Sequence, residues 1–107
     1  MLRIYDVALS LVAEVAPLAV EIGRKDPDLA RQLRRALSSV PLNISEGSYA
    51  RGARRDASYQ VAMGSAREAL SCLETAHAWG IAASVPDALR AKFGLVISTL
   101  RKCVVPR

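Results

Sequence analysis

Apolar residues recur at helical spacing over the first quarter of the chain, where they form two neighbouring rows. The first row is Ile4, Ala8, Leu11, Val15, Leu18 and Ile22, and the second is Tyr5, Leu9, Val12, Ala16 and Ala19. An outer helix of a monomeric bundle needs a single apolar stripe of roughly 100°, and a second stripe would be exposed unless another subunit covered it. The pattern predicts a helix over about residues 2–25 in a homo-oligomer. The residues assigned to the subunit interface are Ile4, Leu11, Val15 and Leu18.

Three more helices follow, and residues that start or stop helices bound each of them. Their predicted ranges are about 28–46, 56–79 and 86–104. Asp26 or Asp28 is available as the N-cap of the second helix. Gly47 is predicted to close that helix in a left-handed conformation, and Gly80 to close the third.

The fourth helix is preceded by Ser84-Val85-Pro86-Asp87, which has the form of a capping box with proline in the first turn. Connections between the helices are short, so we expect neighbours to run antiparallel. No stretch alternates apolar and polar residues as a strand does. The 107 residues suffice for one domain and not for two. We therefore predict an all-α, antiparallel up-down-up-down four-helix bundle over residues 1–107.

The second helix carries a proline in its interior. Pro41 removes one backbone hydrogen bond and pushes against the carbonyl of Leu37, at a cost of roughly 3 kcal/mol. Asn43, Glu46 and Gly47 follow at once and form the motif Asn-x-x-Glu-Gly. A helix that combines this defect with an amide, a carboxylate and a glycine has an unusual sequence.

Asn43 and Glu46 lie three residues apart and share a helix face. In a structural interpretation, a polar side chain near the kink satisfies the freed carbonyl, and Glu46 pairs with an arginine such as Arg34 or Arg67. In a functional interpretation, the two side chains contact a ligand or another subunit.

A second motif lies in the third helix, where residues 62–70 contain Gly64-Ser65 followed by Arg67-Glu68 among small residues and leucine. Together the two motifs resemble a small four-helix-bundle family. It comprises the 23S rRNA intervening-sequence proteins and the accessory variability determinant (Avd) proteins of diversity-generating retroelements. Residues 28–80 carry the resemblance. Its motif residues, expected to be mainly structural, are Pro41, Asn43, Glu46, Gly47, Ser65, Arg67 and Glu68.

The resemblance implies a ring-shaped homopentamer. By analogy with the Avd proteins, the chain would bind a reverse transcriptase and structured RNA or an RNA–DNA hybrid during cDNA synthesis. A second expectation is a protein associated with rRNA intervening sequences, with an undefined role. A third is a structural oligomer that contacts only protein.

Basic residues are concentrated in one part of the sequence. The formal net charge is +5, and the segment from Arg24 to Arg55 has eight basic and three acidic residues. Such a segment attracts nucleic acid, because neutralised phosphates release counterions; the alternative is a solvated surface. Tyr49 and Tyr59 are close enough in sequence to stack on bases. The residues assigned to nucleic-acid binding are Arg31, Arg34, Arg35, Arg51, Arg54 and Arg55.

Residues suited to catalysis or metal binding are few. His77 is the single histidine, and Cys72 and Cys103 are isolated thiols without metal-ligand spacing. No phosphate-binding loop or nucleophile motif is present. Polar residues interrupt the apolar stretch 7–20, so it reads as neither a signal peptide nor a membrane span. We therefore expect a cytoplasmic protein that is not an enzyme, holds no cofactor or metal, and does not contact a membrane.

Overall fold

The computed structural model describes residues 3–104 and 106, and within them the chain forms four helices and no strand. The helices are α1 (Ile4–Gly23), α2 (Pro27–Ser48), α3 (Gly52–Ala78) and α4 (Asp87–Cys103). Each helix packs on two neighbours, so that α2 lies between α1 and α3, and α4 between α3 and α1. The molecule measures 42 × 24 × 23 Å. The predicted all-α four-helix fold is confirmed, while the predicted helix start at residue 2 lies outside the described residues.

Contacts between the helices show their antiparallel order. Gly23, at the end of α1, lies against Ala30 in the first turn of α2. An ion pair joins Lys92 of α4 to Glu14 of α1. The first contact places the end of α1 beside the beginning of α2, and the second joins the early part of α4 to the middle of α1, as expected for antiparallel neighbours with short connections.

The first apolar row of α1 lies inside the core of the chain itself. Ile4, Leu11 and Val15 are buried, and Leu18 is half-buried beside the segment that leads into α4. The predicted subunit interface is therefore wrong at Ile4, Leu11 and Val15, because another copy could not reach these buried side chains without opening the bundle. At Leu18 it stays a prediction. Because both rows are similarly apolar, the sequence alone did not show which row packs against α2 and α4.

The second apolar row of α1 is partly uncovered. Leu9 and Ala16 are exposed, Val12 is half-buried, and Ala19 is buried against α2. Ala19, the last residue of the row, therefore lies in the groove between α1 and α2. Leu9, nearer the start of the helix, lies on the outer surface of the chain. The sequence pattern was correct in predicting an uncovered apolar stripe on the first helix.

The second helix begins as expected and ends differently. Asp26 is the N-cap, since its Oδ1 accepts a hydrogen bond from the Leu29 amide at 3.0 Å, and Pro27 occupies the first turn. The helix continues beyond Glu46, so the predicted left-handed turn at Gly47 is wrong. Gly47 is helical and buried, because α2 and α3 approach each other closely at that point.

The first and last residues of α3 and the start of α4 also test the sequence predictions. Gly52 adopts φ +59° as the first residue of α3, four residues earlier than expected. Gly80 adopts φ +77° and ends α3 as predicted. The N-cap of α4 is Pro86, and no side chain caps this helix, so the predicted capping box of Ser84 is wrong.

We predict that Gly47→Ala destabilises the protein by about 1–3 kcal/mol, since a Cβ there would lie 2.6 Å from Cδ1 of the buried Tyr59 ring. Gly64→Ala is the matched control. Position 64 is also helical, and nothing lies within 4 Å of its Cβ position, so alanine there should stabilise by about 0.5–1 kcal/mol. Chemical denaturation of both variants measures the difference. Equal effects would contradict the close approach of the two helices.

Candidate nucleic-acid interface

A short chain of hydrogen bonds ties α2 to α3 next to Pro41. The Asn43 amide group donates to the Ser39 carbonyl at 2.9 Å and to Ser39 Oγ at 3.0 Å. The Ser65 hydroxyl, on α3, donates to Ser39 Oγ at 2.8 Å. Two of the motif residues, Asn43 and Ser65, therefore meet at Ser39, which supports the structural interpretation of Asn43. Asn43 bonds to the Ser39 carbonyl and not to that of Leu37, which was the expected partner.

Ser39 was missed in the sequence, because a lone serine within a helix gives no signal of its own. The charged motif residues behave differently from Asn43. Glu46, Arg67 and Glu68 are exposed, and none of them takes part in the ion pairs found among the described residues. The expected pairing of Glu46 with Arg34 or Arg67 is therefore absent.

Six basic side chains collect at one end of the bundle. We call this set the basic end, and it consists of Arg3, Arg51, Arg54, Arg55, Arg101 and Lys102. The end contains the start of α1 and α3 and the finish of α2 and α4, as antiparallel packing requires. All six residues are exposed. None of the ion pairs within the described part of the chain involves them, so their charges face solvent.

Acidic residues offset this charge only in part. Asp6 and Glu46 are exposed at the same end, whereas Asp56 is buried and already has a partner. Asp56 and Arg101 line one groove between α3 and α4, so the end of α4 lies next to the beginning of α3. Sequence reasoning missed Arg3, Arg101 and Lys102, because each lies far along the chain from the arginines between positions 51 and 55. The predicted antiparallel topology could have revealed them, because it places the start of α1 and the end of α4 beside the α2–α3 turn.

The structure separates the six predicted arginines into two groups. Arg51 precedes α3, and Arg54 and Arg55 lie in its first turn and not in a loop. The other three, which we call the α2 arginines, are Arg31, Arg34 and Arg35. They lie near the opposite end of α2, roughly 20 Å away at 1.5 Å per residue. This distance exceeds the screening length of about 8 Å at physiological salt, so the two groups do not act as one surface.

The surroundings of the α2 arginines are also more balanced in charge. Arg31 donates to Asp28 at 2.8 Å. Arg31 and Arg35 line a groove between α2 and α3 that also contains Asp28 and Glu68. Arg34 borders the apolar groove between α1 and α2. The basic end is therefore the stronger candidate for contact with phosphates.

The two tyrosines near the basic end have different environments. Tyr59 is buried against Gly47, and the guanidinium of Arg55 lies 5.9 Å from its ring centroid. The expectation that Tyr59 stacks on bases is therefore wrong. Tyr49, the C-cap of α2, is 82% exposed and keeps that capacity.

Comparison with protein families agrees with the motifs on α2 and α3. The family model for the 23S rRNA-intervening sequence protein matches residues 1–93. The chain belongs to this family. No curated protein and no solved structure matches the chain. The match includes Arg3 and the arginines at the start of α3, and it ends before Arg101 and Lys102. The two basic residues that α4 contributes to the basic end therefore lie outside the family model.

His77 and the possible metal ligands are the next side chains to consider. His77 is exposed, and its Nδ1 lies 3.0 Å from the Ala82 carbonyl. No group of three metal-ligating side chains occurs among the described residues. In that part of the chain, no helix is both long and apolar enough to cross a membrane.

Cys72 and Cys103 are both free thiols, as expected. Cys72 is buried, and burial raises the pKa of its thiol, with a smaller contribution from the Glu68 carboxylate. Cys103 is half-buried at the end of α4. Because the thiolate is the reactive form, the raised pKa makes Cys72 the less reactive thiol.

We predict that a maleimide or iodoacetamide reagent labels Cys103 at least about ten-fold faster than Cys72 near neutral pH. Because the pKa of Cys72 is raised, its labelling should speed up only at pH values above those at which an ordinary thiol deprotonates. Peptide mapping of the labelled protein measures both rates, and labelling in denaturant is the control in which the two rates should converge. Faster labelling of native Cys72 would contradict its burial.

Proposed function

We propose that the protein is a non-catalytic scaffold in the cytoplasm that binds nucleic acid through its basic end. The main supporting observation is that six exposed basic side chains lie at one end of the bundle, where they come from the residue before α1, the α2–α3 turn, α3 and α4. Exposed arginines hold phosphate oxygens by bidentate, charge-assisted hydrogen bonds. Such contacts supply affinity without reading base sequence.

We also propose that the scaffold is a homo-oligomer, and a ring of five copies is the assembly that the resemblance implies. The supporting observation is an apolar patch on the α1–α2 side of the chain. Its residues are Leu9, Val12, Ala16, Val20 and Leu42. Val20 is 56% exposed and Leu42 is 68% exposed, and Leu42 lies one helical turn beyond Ser38, which borders the same groove. A second copy that covered this patch would remove it from water.

The family name favours structured RNA as the first ligand to examine, since it refers to intervening sequences of 23S rRNA. The Avd-like alternative is an accessory role, in which the scaffold holds structured RNA or an RNA–DNA hybrid for a reverse transcriptase. Both functions use the same phosphate-binding surface. A protein-only structural oligomer is the remaining alternative, and the apolar patch is the observation that favours it.

The positive charge of the basic end allows us to predict how RNA affinity depends on salt. Changing Arg51, Arg54 and Arg55 to serine should weaken binding to structured RNA and reduce the slope of log affinity against log salt by roughly 2 to 3. Serine substitution of Arg31, Arg34 and Arg35 removes the same charge from the far end and should change the slope less. Titrations of labelled RNA at several salt concentrations measure both slopes. Equal losses would show that binding is not local to the basic end, and an absence of RNA binding at low salt would favour the protein-only oligomer.

From the apolar patch we predict which substitutions weaken the assembly. Val20→Lys with Leu42→Lys should reduce the particle mass while the helical content stays unchanged, because both side chains are exposed in the single chain. Leu95→Lys is the control, since Leu95 is 51% exposed on α4, away from the patch. Sedimentation and circular dichroism measure assembly and fold. A double variant that keeps the full assembly mass would place the interface on another face.

A further inference from the structure

Tyr49 is the most exposed large apolar side chain in the described part of the chain. Its backbone is held at the end of α2, because its amide donates to the Glu46 carbonyl at 3.3 Å. The next amide, that of Ala50, donates to the Gly47 carbonyl at 3.2 Å. These bonds hold the end of α2, from which the Tyr49 ring projects into water. An aromatic ring presented in this way has no packing role within the chain.

Three arginines follow Tyr49 closely along the chain. Arg51 is extended, with φ −134° and ψ 155°, and Arg54 and Arg55 follow in the first turn of α3. A guanidinium recognises phosphate oxygens, while an aromatic face recognises the face of a base. The basic end therefore presents both of the chemical groups that bind a nucleotide, at the junction of two helices.

A base can use the Tyr49 ring only if the base is not already stacked and paired. In a double helix the faces of the bases are covered by their neighbours, so a duplex offers this surface only phosphates and groove edges. An unpaired nucleotide offers a phosphate and a free base face together. Stacking of this kind tolerates any base, because every base has a π-face.

We propose that the basic end binds unpaired nucleotides, with the Tyr49 ring as the stacking platform and Arg51, Arg54 and Arg55 as the phosphate contacts. This assignment rests on the proposed nucleic-acid-binding function and narrows its ligand to single-stranded segments, including loops and ends. RNA and DNA share the chemistry that Tyr49 recognises, so single strands of both kinds bind through the same ring.

Affinity measurements with matched ligands test the assignment. Tyr49→Ala should weaken binding of a short single-stranded RNA or DNA by about five-fold to a hundred-fold, and should leave binding of a duplex of the same sequence within about two-fold. Tyr49→Phe retains the ring and should bind like the unchanged protein. Trp79→Ala is the matched control, since Trp79 is a 73% exposed aromatic residue at the opposite end of the bundle, and it should have no effect.

A spectroscopic measurement gives an independent readout. The chain has one tryptophan, Trp79, so Tyr49→Trp combined with Trp79→Phe moves the only indole to the basic end. Stacking on a base should quench the fluorescence of this variant when a single strand binds, and duplex binding should quench it much less. The unchanged protein, with its indole at the far end, should show little quenching with either ligand.

The outcomes separate this assignment from the function on which it rests. If the unchanged protein binds neither single strands nor duplexes at low salt, the proposed nucleic-acid binding fails and the assignment fails with it. If the protein binds nucleic acid but Tyr49→Ala has no selective effect on single strands, the scaffold function stands and the role of Tyr49 is refuted. Dependence on Tyr49 for RNA single strands but not for DNA would also refute it, since the ring does not distinguish the two sugars.

Discussion

The close contact between α2 and α3 determines much of the rest of this structure. At one point along the contact Gly47 has no side chain, and the Tyr59 ring fills the space. Two turns away, the hydroxyls of Ser39 and Ser65 meet at 2.8 Å. The first contact is sensitive to volume and the second to hydrogen-bond geometry, so together they allow little sliding of one helix along the other. The turn that carries Tyr49 and Arg51 is held between these two helices.

The antiparallel topology divides the surface into regions with different chemistry. The start of α1 and the end of α4 lie at the same end of the bundle as the α2–α3 turn, which adds Arg3, Arg101 and Lys102 to the arginines near that turn. The side formed by α1 and α2 is apolar, whereas the far end contains ion-paired charges such as Arg31 with Asp28 and Arg90 with Glu74. A surface for phosphates and a surface for another subunit can therefore coexist without overlap. This separation makes it possible to alter one proposed activity and leave the other intact.

Local sequence signals predicted local structure well. The periodic apolar rows predicted four helices, and Asp26 and Gly80 marked a helix start and a helix end correctly. Gly47 was misinterpreted because a glycine near a helix end has the same appearance in sequence whether it enables a turn or a close packing contact. The choice between the two apolar rows of α1 failed for a related reason, since periodicity gives the angle between rows but not the direction of the core.

The candidate site was predictable only in part, because its residues come from distant parts of the chain. Arg51, Arg54 and Arg55 were identified from local charge, whereas Arg31, Arg34 and Arg35 were grouped with them although α2 carries them to the other end. Charge density along a sequence is not charge density in space, and a helix of 22 residues separates its two ends by roughly 30 Å. The family motif residues were informative about packing, through Asn43 and Ser65, and less so about the charged surface.

The elongated shape of the bundle has a consequence for the length of nucleic acid that an assembly would engage. If copies associate side by side in a ring through the α1–α2 side, their basic ends point in the same direction and lie about one bundle width apart. That width is 24 Å, which corresponds to roughly seven nucleotides at 3.4 Å per step along one strand. A shorter fragment would reach a single basic end, whereas a longer one would bridge two and gain the high effective concentration of a tethered second contact. The length of nucleic acid that the assembly covers would therefore increase in steps, each equal to the width of one four-helix bundle.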